Sequence, residues 1–182
     1  MNVGFFGGSF NPPHVSHVLA VSYVLATQPL DRVLVVPCFD HPLGKELAPF
    51  THRRAMCERA FAHLRDVEVS SIEQEMGETS RTLFTLRALR AAHPEWSLRL
   101  IIGAEILNET ERWFGWPEIV QLAPVMVLGR LGHPRADAPP SVIPQVSSTD
   151  VRDRLARGLP VDDVVPREVI GYARQHRLYG AT

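Results

Sequence analysis

The sequence predicts a doubly wound α/β fold, in which a parallel sheet lies between two layers of helices. Short apolar runs alternate with longer stretches of helical period, which is the pattern of βαβ units. The first apolar run ends in a pair of glycines, as strand-to-helix turns of such folds often do. With 182 residues, 45% of them hydrophobic, the chain is long enough for one ordinary domain with its own core.

Six segments are predicted to be strands because they are apolar along nearly their whole length, as buried parallel strands are. In chain order they run from Val3 to Phe6, Val33 to Val36, Val67 to Ser70, Leu98 to Ile102, Val125 to Leu128 and, as a short edge strand, Val142 to Ile143. The stretch from Gly129 to Pro144 is rich in glycine and proline, and we interpret it as a surface connection.

Helices are predicted between the strands from apolar positions that recur on one face. Two of them cover Arg53 to Leu64 and Leu83 to Ala92. The helix after the first strand is expected to direct five side chains toward the sheet, namely Val15, Val18, Leu19, Ser22 and Leu25.

The C-terminal part is predicted to contain two more helices. The first begins at Ser147, which forms a capping-box pattern with Asp150, and it ends at Gly158. The second begins near Pro166 and faces the body of the protein with Val169, Ile170, Tyr172 and Ala173. We therefore predict a single domain over residues 1–182, with an α/β core over 1–145 and C-terminal helices over 146–182.

The composition disfavours several classes of protein. The chain has 19 Lys and Arg against 20 Asp and Glu, and this balance argues against binding to a nucleic-acid polymer. Cys38 and Cys57 are too few for a disulfide framework, and no apolar run has the length of a membrane helix. The expectation is a cytoplasmic protein that does not interact with a membrane. Nothing in the sequence specifies an oligomer.

The most informative segment follows the first predicted strand and reads Gly7-Gly8-Ser9-Phe10-Asn11-Pro12-Pro13-His14-Val15-Ser16-His17. Glycines at this place allow the backbone to approach a phosphate closely, and the following helix points amide groups at it. Because His14 and His17 are three residues apart, both rings can donate hydrogen bonds to phosphate oxygens from one helix face. The segment is not G-x-G-x-x-G, and the chain contains no P-loop sequence, so those two nucleotide folds are set aside.

A second anion site is predicted at the start of the C-terminal helices. Ser147, Ser148 and Thr149 combine hydroxyl groups with the amides of a helix N-terminus. Arg152 lies on the same face, where a guanidinium can hold two phosphate oxygens. Lys45 is the only lysine in the chain, and it lies in the loop after the second strand, at the edge of the sheet where ligands of such folds bind.

A zinc site is an alternative interpretation of some of these residues. His14, His17, Cys38 and His41 follow the ends of neighbouring strands and could form a tetrahedral set, as in a zinc-dependent hydrolase. Pairs of the type H-x-x-H and C-x-x-H are common by chance, however. We therefore rank zinc below phosphate binding and assign no metal ligand.

Together these segments resemble a known family. The glycine turn with His14 and His17 is similar to the HxGH signature of the nucleotidylyltransferase superfamily, and within it to bacterial nicotinate-nucleotide adenylyltransferases. Residues 146–152 resemble the I-S-S-T-x-I-R segment of that family, and residues 103–105 resemble its G-x-D. Trp113 lies where the family places a tryptophan against the pyridine ring, and residues 80–82 are similar to its S-Y-T.

The resemblance implies a Rossmann-like nucleotidylyltransferase fold and adenylyl transfer from ATP to nicotinate mononucleotide. The products would be nicotinate adenine dinucleotide, in NAD biosynthesis, and pyrophosphate, with Mg²⁺ coordinated mostly by phosphate and water. The implied catalytic residues are His14, His17, Lys45 and Arg152. ATP binding is implied for Gly7, Gly8, Ser9, Phe10, Gly103, Glu105, Ser147, Ser148 and Thr149, and binding of the pyridine end for Thr82 and Trp113.

Four positions depart from the family pattern. Ser16 replaces a glycine and is expected to add a hydroxyl near the phosphates. Glu105 replaces an aspartate, which changes the reach of a carboxylate implied to hold the adenosine ribose. Arg81 replaces a tyrosine, where its charge would suit a carboxylate, and Phe84 stands where an aspartate often occurs. The alternatives left open are nicotinamide mononucleotide or phosphopantetheine as acceptor, and an ATP-binding module without catalysis.

Overall fold

The computed structural model describes residues 1–41, 44–77, 81–129 and 143–181. In this part of the chain a sheet of five strands has the order β3-β2-β1-β4-β5, and every neighbouring pair is parallel. The strands are β1 Asn2–Gly8, β2 Arg32–Pro37, β3 Val67–Val69, β4 Ser97–Gly103 and β5 Val125–Leu128.

Five of the six predicted strands are confirmed, and their ends differ from the prediction by two residues at most. The predicted edge strand from Val142 to Ile143 is different. Val142 lies outside the described residues, and Ile143 forms a bend rather than a strand. Most of the predicted connection from Gly129 to Pro144 also lies outside them.

The helices include all those predicted and several short ones that were not. In the described ranges the α-helices are α1 Val15–Thr27, α2 Phe50–Phe61, α3 Ile72–Met76, α4 Thr82–Ala92, α5 Trp116–Leu122, α6 Ser148–Ala156 and α7 Arg167–Gln175. Two 3-10 helices cover Ala104–Arg112 and Leu178–Gly180. None of the helices in these ranges has the length and apolar character needed to cross a membrane.

The buried face of α1 differs from the predicted one. Its buried residues include Val18, as expected, but also Ala20, Val21 and Val24, whereas Leu19 is 43% exposed. The helix is apolar over most of its circumference, so periodicity alone does not select the face that packs. The position of the helix against the sheet makes that choice.

The sheet lies between two separate apolar clusters, because successive side chains of a strand point to opposite faces. Phe6 and Val35 belong to the cluster that contains buried residues of α1, α2, α6 and α7. Phe5 and Leu34 belong to the other cluster, which contains buried residues of α4 and α5. Helices thus cover both faces, and the predicted doubly wound fold is confirmed.

The C-terminal helices pack on the same cluster as α1 and α2. Val151 and Leu155 of α6 and Val169 of α7 are buried there together with Phe6. The predicted signals at their ends are confirmed, since Ser147 caps α6 and Gly158, just after it, has a φ of +65°. Apolar burial rather than a separate core therefore stabilises this part of the chain.

Candidate active site

A cleft opens between β1 and β4 at the carboxyl ends of the strands. β1 pairs with β2 as far as Gly8 and Pro37, but with β4 only as far as Phe5 and Leu100. Beyond that point the two central strands separate, where the strand order reverses, and doubly wound sheets bind ligands at this place. Every residue to which the sequence analysis assigned a role lines this one cleft.

The two histidines of the glycine turn organise the start of α1. His14 is the N-cap residue, and its backbone N–H donates to His17 Nδ1 over 3.1 Å. A ring nitrogen that accepts this hydrogen bond carries no proton, so neutral His17 carries its ring proton on Nε2. The two rings stack with centroids 3.7 Å apart, and Phe10 packs edge-on against His17 at 4.9 Å. The spacing H-x-x-H therefore orients His17 as an Nε2–H donor.

Hydrogen bonds from the C-terminal helices hold the segment between β1 and α1. Arg152 Nη1 donates to Asn11 O at 2.8 Å, and Tyr179 Oη donates to Asn11 Oδ1 at 2.8 Å. Ser148 Oγ donates to Pro12 O at 2.9 Å, and the peptide bond between Asn11 and Pro12 is cis. Residues far apart in sequence thus build one wall of the cleft, which we call the turn wall and define as residues 7–17 with 147–152.

Ser16 makes a hydrogen bond within the protein. Its hydroxyl donates to Pro144 O at 2.7 Å, and the side chain is buried. The bond links the first turn of α1 to the segment before α6. The hydroxyl proton is thus engaged within the protein, and a place for this hydroxyl near the phosphates stays a prediction.

The hydroxyls at the start of α6 are already engaged within the protein. Ser147 Oγ accepts from Asp150 N–H at 3.1 Å and donates to Asp150 Oδ2 at 2.6 Å. Thr149 Oγ1 accepts from Arg152 Nη2 at 3.4 Å. The backbone amides of Ser148 and Thr149 precede the first intrahelical hydrogen bonds, and they are the groups by which this helix end can bind an anion.

The loop after β2 brings Lys45 and His41 to the cleft, together with Cys38 at the end of the strand. Burial lowers the pKa of His41, and the charge of Lys45 lowers it further. Burial raises the pKa of the Cys38 thiol, whose Sγ lies 3.8 Å from Ser9 Oγ. Among the described residues no three His, Cys, Asp or Glu side chains are arranged to hold a metal ion together.

Aromatic side chains and an arginine form the opposite wall, which we call the aromatic wall and define as Arg81, Thr82, Trp113 and Phe114. The Arg81 guanidinium lies 4.7 Å from the centre of the Phe114 ring, in cation–π contact. Trp113 packs edge-on against Trp116 behind it, with ring centroids 5.7 Å apart. Arg81 and Thr82 are the N-cap and the first residue of α4. Ser80 lies outside the described residues.

Glu105 reaches back over the end of β4. It is in the first turn of the 3-10 helix Ala104–Arg112, and any side chain at Gly103 would collide with its carboxylate. The extra methylene relative to aspartate is therefore accommodated by folding the side chain toward the cleft. The backbone angle of Gly103 is not unusual, and a larger residue there would have to displace the flexible end of the Glu105 side chain.

The sequence analysis missed a buried residue next to the site. Arg53 in α2 is only 1% exposed, and its guanidinium donates to backbone carbonyls of the loops that form the cleft. The signal was present, because Arg53 follows Phe50 by three residues and precedes Met56 by three, on the apolar face of the helix. A charged residue on such a face indicates a special environment.

The cleft lies at the switch point of a parallel sheet, and it contains a glycine turn, two oriented histidines and a capped helix that carries an arginine. These features define a nucleotide-binding protein of the Rossmann-like class. The cytidylyltransferase-like family model matches residues 5–154. The chain is 45% identical over 183 residues to a protein of Anaeromyxobacter dehalogenans (strain 2CP-C) named probable nicotinate-nucleotide adenylyltransferase, covering 97% of this chain and 96% of that one. It is 45% identical over 181 residues to a protein of the same name in Myxococcus xanthus (strain DK1622), covering 99% and 95%.

Solved structures show the same fold. Nicotinic acid mononucleotide adenylyltransferase of Plasmodium falciparum, complexed with NaAD, superposes with a TM-score of 0.85 at 19% identity, over 100% of this chain and 98% of that one. The same enzyme complexed with APC superposes with a TM-score of 0.82 at 18% identity, over 100% and 98%. The chain belongs to the cytidylyltransferase-like family, and within it to the nicotinate-nucleotide adenylyltransferases.

Proposed function

We propose that this protein transfers the adenylyl group of ATP to nicotinate mononucleotide in NAD biosynthesis. A phosphate oxygen of the mononucleotide attacks the α-phosphorus of ATP, the bond from that phosphorus to the bridging oxygen breaks, and pyrophosphate leaves with the electron pair. The observation that carries the proposal is the convergence of the turn wall and the aromatic wall on one cleft. The names of relatives that match along nearly the whole chain support the choice of acceptor.

The reaction requires positioning and charge stabilisation rather than a protein nucleophile, because the attacking phosphate is already anionic. His17 donates its Nε2–H to the phosphates of ATP, and its hydrogen bond from the His14 backbone holds the ring in the necessary orientation. His14 contributes to the same phosphate site from the stacked ring beside it. Gly7, Gly8, Ser9 and Phe10 let the backbone approach the triphosphate closely.

Cationic groups stabilise the charge that develops on pyrophosphate. Arg152 already donates one hydrogen bond to Asn11 O, so its guanidinium is held at the turn wall and directs its remaining donors from there. Lys45 supplies a second positive charge from the loop after β2. The amides of Ser148 and Thr149 bind the same phosphates at the N-terminus of α6.

Mg²⁺ enters as part of the ATP complex and belongs to the substrate. Phosphate oxygens and water coordinate it, and this coordination requires no cage of carboxylates. Glu73, a buried carboxylate lining the cleft, accepts from Phe39 N–H and from Thr85 Oγ1, each at 3.0 Å. Its oxygens therefore serve the fold. When bound, the ion neutralises part of the triphosphate charge.

The two nucleotides are distinguished by the other residues of the cleft. Glu105 accepts hydrogen bonds from the adenosine ribose, beside Gly103 at the end of β4. Trp113 packs against the pyridine ring, and the amide end of α4 at Thr82 binds the nicotinate carboxylate. The proposed location is the cytoplasm, since Cys38 and Cys57 are free thiols, as is usual in a reducing compartment.

The test is release of pyrophosphate from ATP and Mg²⁺ with nicotinate mononucleotide, nicotinamide mononucleotide or phosphopantetheine offered in parallel. We expect turnover with nicotinate mononucleotide, and a loss of about a hundredfold or more in His17→Ala, because one preorganised donor to the phosphates is removed. His63→Ala is the matched control, since His63 is exposed and lies outside the cleft.

The other outcomes are equally informative. Turnover with another acceptor alone would keep the chemistry and reject the acceptor. ATP binding without pyrophosphate release from any acceptor would reject the enzyme and leave a nucleotide-binding module.

A further inference from the structure

One buried arginine joins the two loops that surround the phosphate side of the cleft, the glycine turn after β1 and the loop between β2 and α2. Arg53 Nε donates to Ala48 O at 2.8 Å, Nη1 to Ser9 O at 2.9 Å and Nη2 to Phe39 O at 3.2 Å. Ser9 follows β1, Phe39 follows β2, and Ala48 precedes α2. The planar guanidinium thus helps to fix how the glycine turn lies relative to the loop that carries Lys45, together with the hydrogen bonds from Ala48 N–H to Asn11 Oδ1 and from Cys38 N–H to Gly8 O.

The charge of Arg53 has no acidic partner among the described residues, where its hydrogen bonds all go to neutral acceptors. Besides the three carbonyls, Nη1 lies 3.9 Å from Cys38 Sγ, and the guanidinium lies 5.6 Å from the Phe50 ring centre. A charge that is 1% exposed and unpaired is costly, because carbonyl dipoles replace only part of its hydration. Its field reaches the neighbouring groups, since it opposes the effect of burial on the pKa of Cys38 and of Tyr179, whereas the Glu73 carboxylate raises the pKa of Cys38.

We propose that Arg53 is a positioning residue, which holds the glycine turn against the Lys45 loop and places a buried positive charge beside the phosphate site. It acts through Ser9 and Phe39 without touching the substrate. The proposal rests on the proposed function to the extent that the cleft binds a triphosphate. A bound triphosphate would add negative charge close to Arg53, so part of the cost of burying the guanidinium would be recovered when the ligand binds.

Two effects follow, and they are separable. The charge favours any polyphosphate in the cleft, so it acts on affinity. The fork of three hydrogen bonds fixes the relative position of the two loops, so it acts on the rate of a reaction that depends on alignment. Lysine retains the charge but not the fork, whereas glutamine loses the charge and keeps part of the hydrogen bonding.

The experiment compares Arg53→Lys and Arg53→Gln with the matched control Arg54→Gln. Arg54 is the next residue of the same helix, but it is partly exposed, and its side chain pairs with Glu58 one turn away and with no other acidic side chain that the structure describes. For each protein we would measure the dissociation constant of inorganic tripolyphosphate, kcat and KM for ATP, and thermal unfolding.

We expect Arg53→Gln to bind tripolyphosphate about tenfold more weakly, and Arg53→Lys to bind it within about threefold of the wild type. Both variants should lose kcat by about tenfold or more, since neither has the fork. Arg54→Gln should leave all of these quantities unchanged. Equal tripolyphosphate affinity in the Lys and Gln variants would overturn the role of the charge, and a wild-type kcat in Arg53→Lys would overturn the positioning role.

The result is distinguishable from a failure of the proposed function. If the wild type releases no pyrophosphate with any acceptor, the proposed function fails, while the tripolyphosphate comparison still tests the charge. If neither Arg53 variant folds, hydrogen exchange of the wild type provides the test. Tripolyphosphate should then slow exchange in residues 36–41 and 46–50 together with residues 7–11, and protection confined to residues 7–11 would overturn the coupling.

Discussion

The two walls of the cleft are held in place by different interactions. In the turn wall, side chains from the C-terminal helices donate to backbone carbonyls, as Arg152 does to Asn11 and Ser148 to Pro12. In the aromatic wall, contacts are between rings or between a guanidinium and a ring, as for Arg81 and Phe114, and the Phe114 side chain is 52% exposed. The hydrogen bonds that hold the turn wall are directional, and much of its backbone is buried. The ring contacts of the aromatic wall are less directional, and its side chains are partly exposed.

This difference corresponds to the two tasks of the proposed reaction. Transfer of the adenylyl group requires alignment of the triphosphate. Directional hydrogen bonds to the buried backbone of the turn wall provide this alignment. Recognition of the acceptor requires a flat apolar surface and one charge, which the rings and Arg81 provide. Contacts of this kind tolerate substitution better than directional hydrogen bonds do. The departures at Arg81 and Phe84 lie in or against the aromatic wall, where such tolerance is expected.

The largest expected effect is in the turn wall. In Arg152→Lys the planar fork that joins Asn11 O and Thr149 Oγ1 is lost, although the charge is kept. We expect kcat for pyrophosphate release to fall by about ten- to a hundredfold, with a smaller rise in KM for ATP. Arg154→Lys on the same helix is the control, because in the described part of the chain the Arg154 guanidinium pairs only with the exposed Asp163. A kcat equal to that of the control would show that the turn does not depend on Arg152.

A smaller and more selective effect is expected in the aromatic wall. Arg81→Gln removes the positive charge at the start of α4, and nicotinate carries a carboxylate that nicotinamide lacks. The ratio of kcat/KM for nicotinate and nicotinamide mononucleotides should fall by about tenfold, while KM for ATP stays the same. Arg99→Gln, at an exposed position of β4, is the control. If the ratio is unchanged, the helix amides rather than the arginine select the acid.

The smallest effect concerns the support of the aromatic wall. Arg87 of α4 donates to both carboxylate oxygens of Glu118 in α5, at 2.7 and 2.6 Å, and these hydrogen bonds hold the pKa of Glu118 below its usual range. A lowered folded-state pKa means that the pair stabilises the fold above the ordinary glutamate pKa and loses this contribution as the pH falls through the folded value.

Glu118→Gln should therefore unfold slightly more easily than the wild type at neutral pH, with a small difference because both side chains are exposed. The difference should shrink as the pH falls through the folded-state pKa of Glu118, because the wild-type carboxyl then becomes protonated too. Thermal unfolding against pH measures it, with the exposed Glu168→Gln as the control for loss of charge alone. A difference that persists at low pH would mean that the glutamine disturbs packing.

Much of the site was predictable because its parts are local in sequence. His14 and His17 lie in one helical turn, and the spacing of three residues alone places their rings together. Ser147 and Asp150 form their cap within one turn in the same way. What sequence reasoning could not supply are the partners far along the chain. The acceptor of the Ser16 hydroxyl is 128 residues away, and the partner of Tyr179 is 168 residues away.

The sequence by itself determined the alternation of strands and helices, the glycine turn, the capped start of α6 and the residues available for phosphate binding. Each of these follows from interactions between neighbours along the chain or from the period of apolar side chains. Only the tertiary structure decided which face of α1 is buried, that Glu105 folds over Gly103, and that Arg53 is buried among backbone carbonyls. The physical reason is that these features depend on which surfaces meet across the sheet, and periodicity within one segment does not specify its partners.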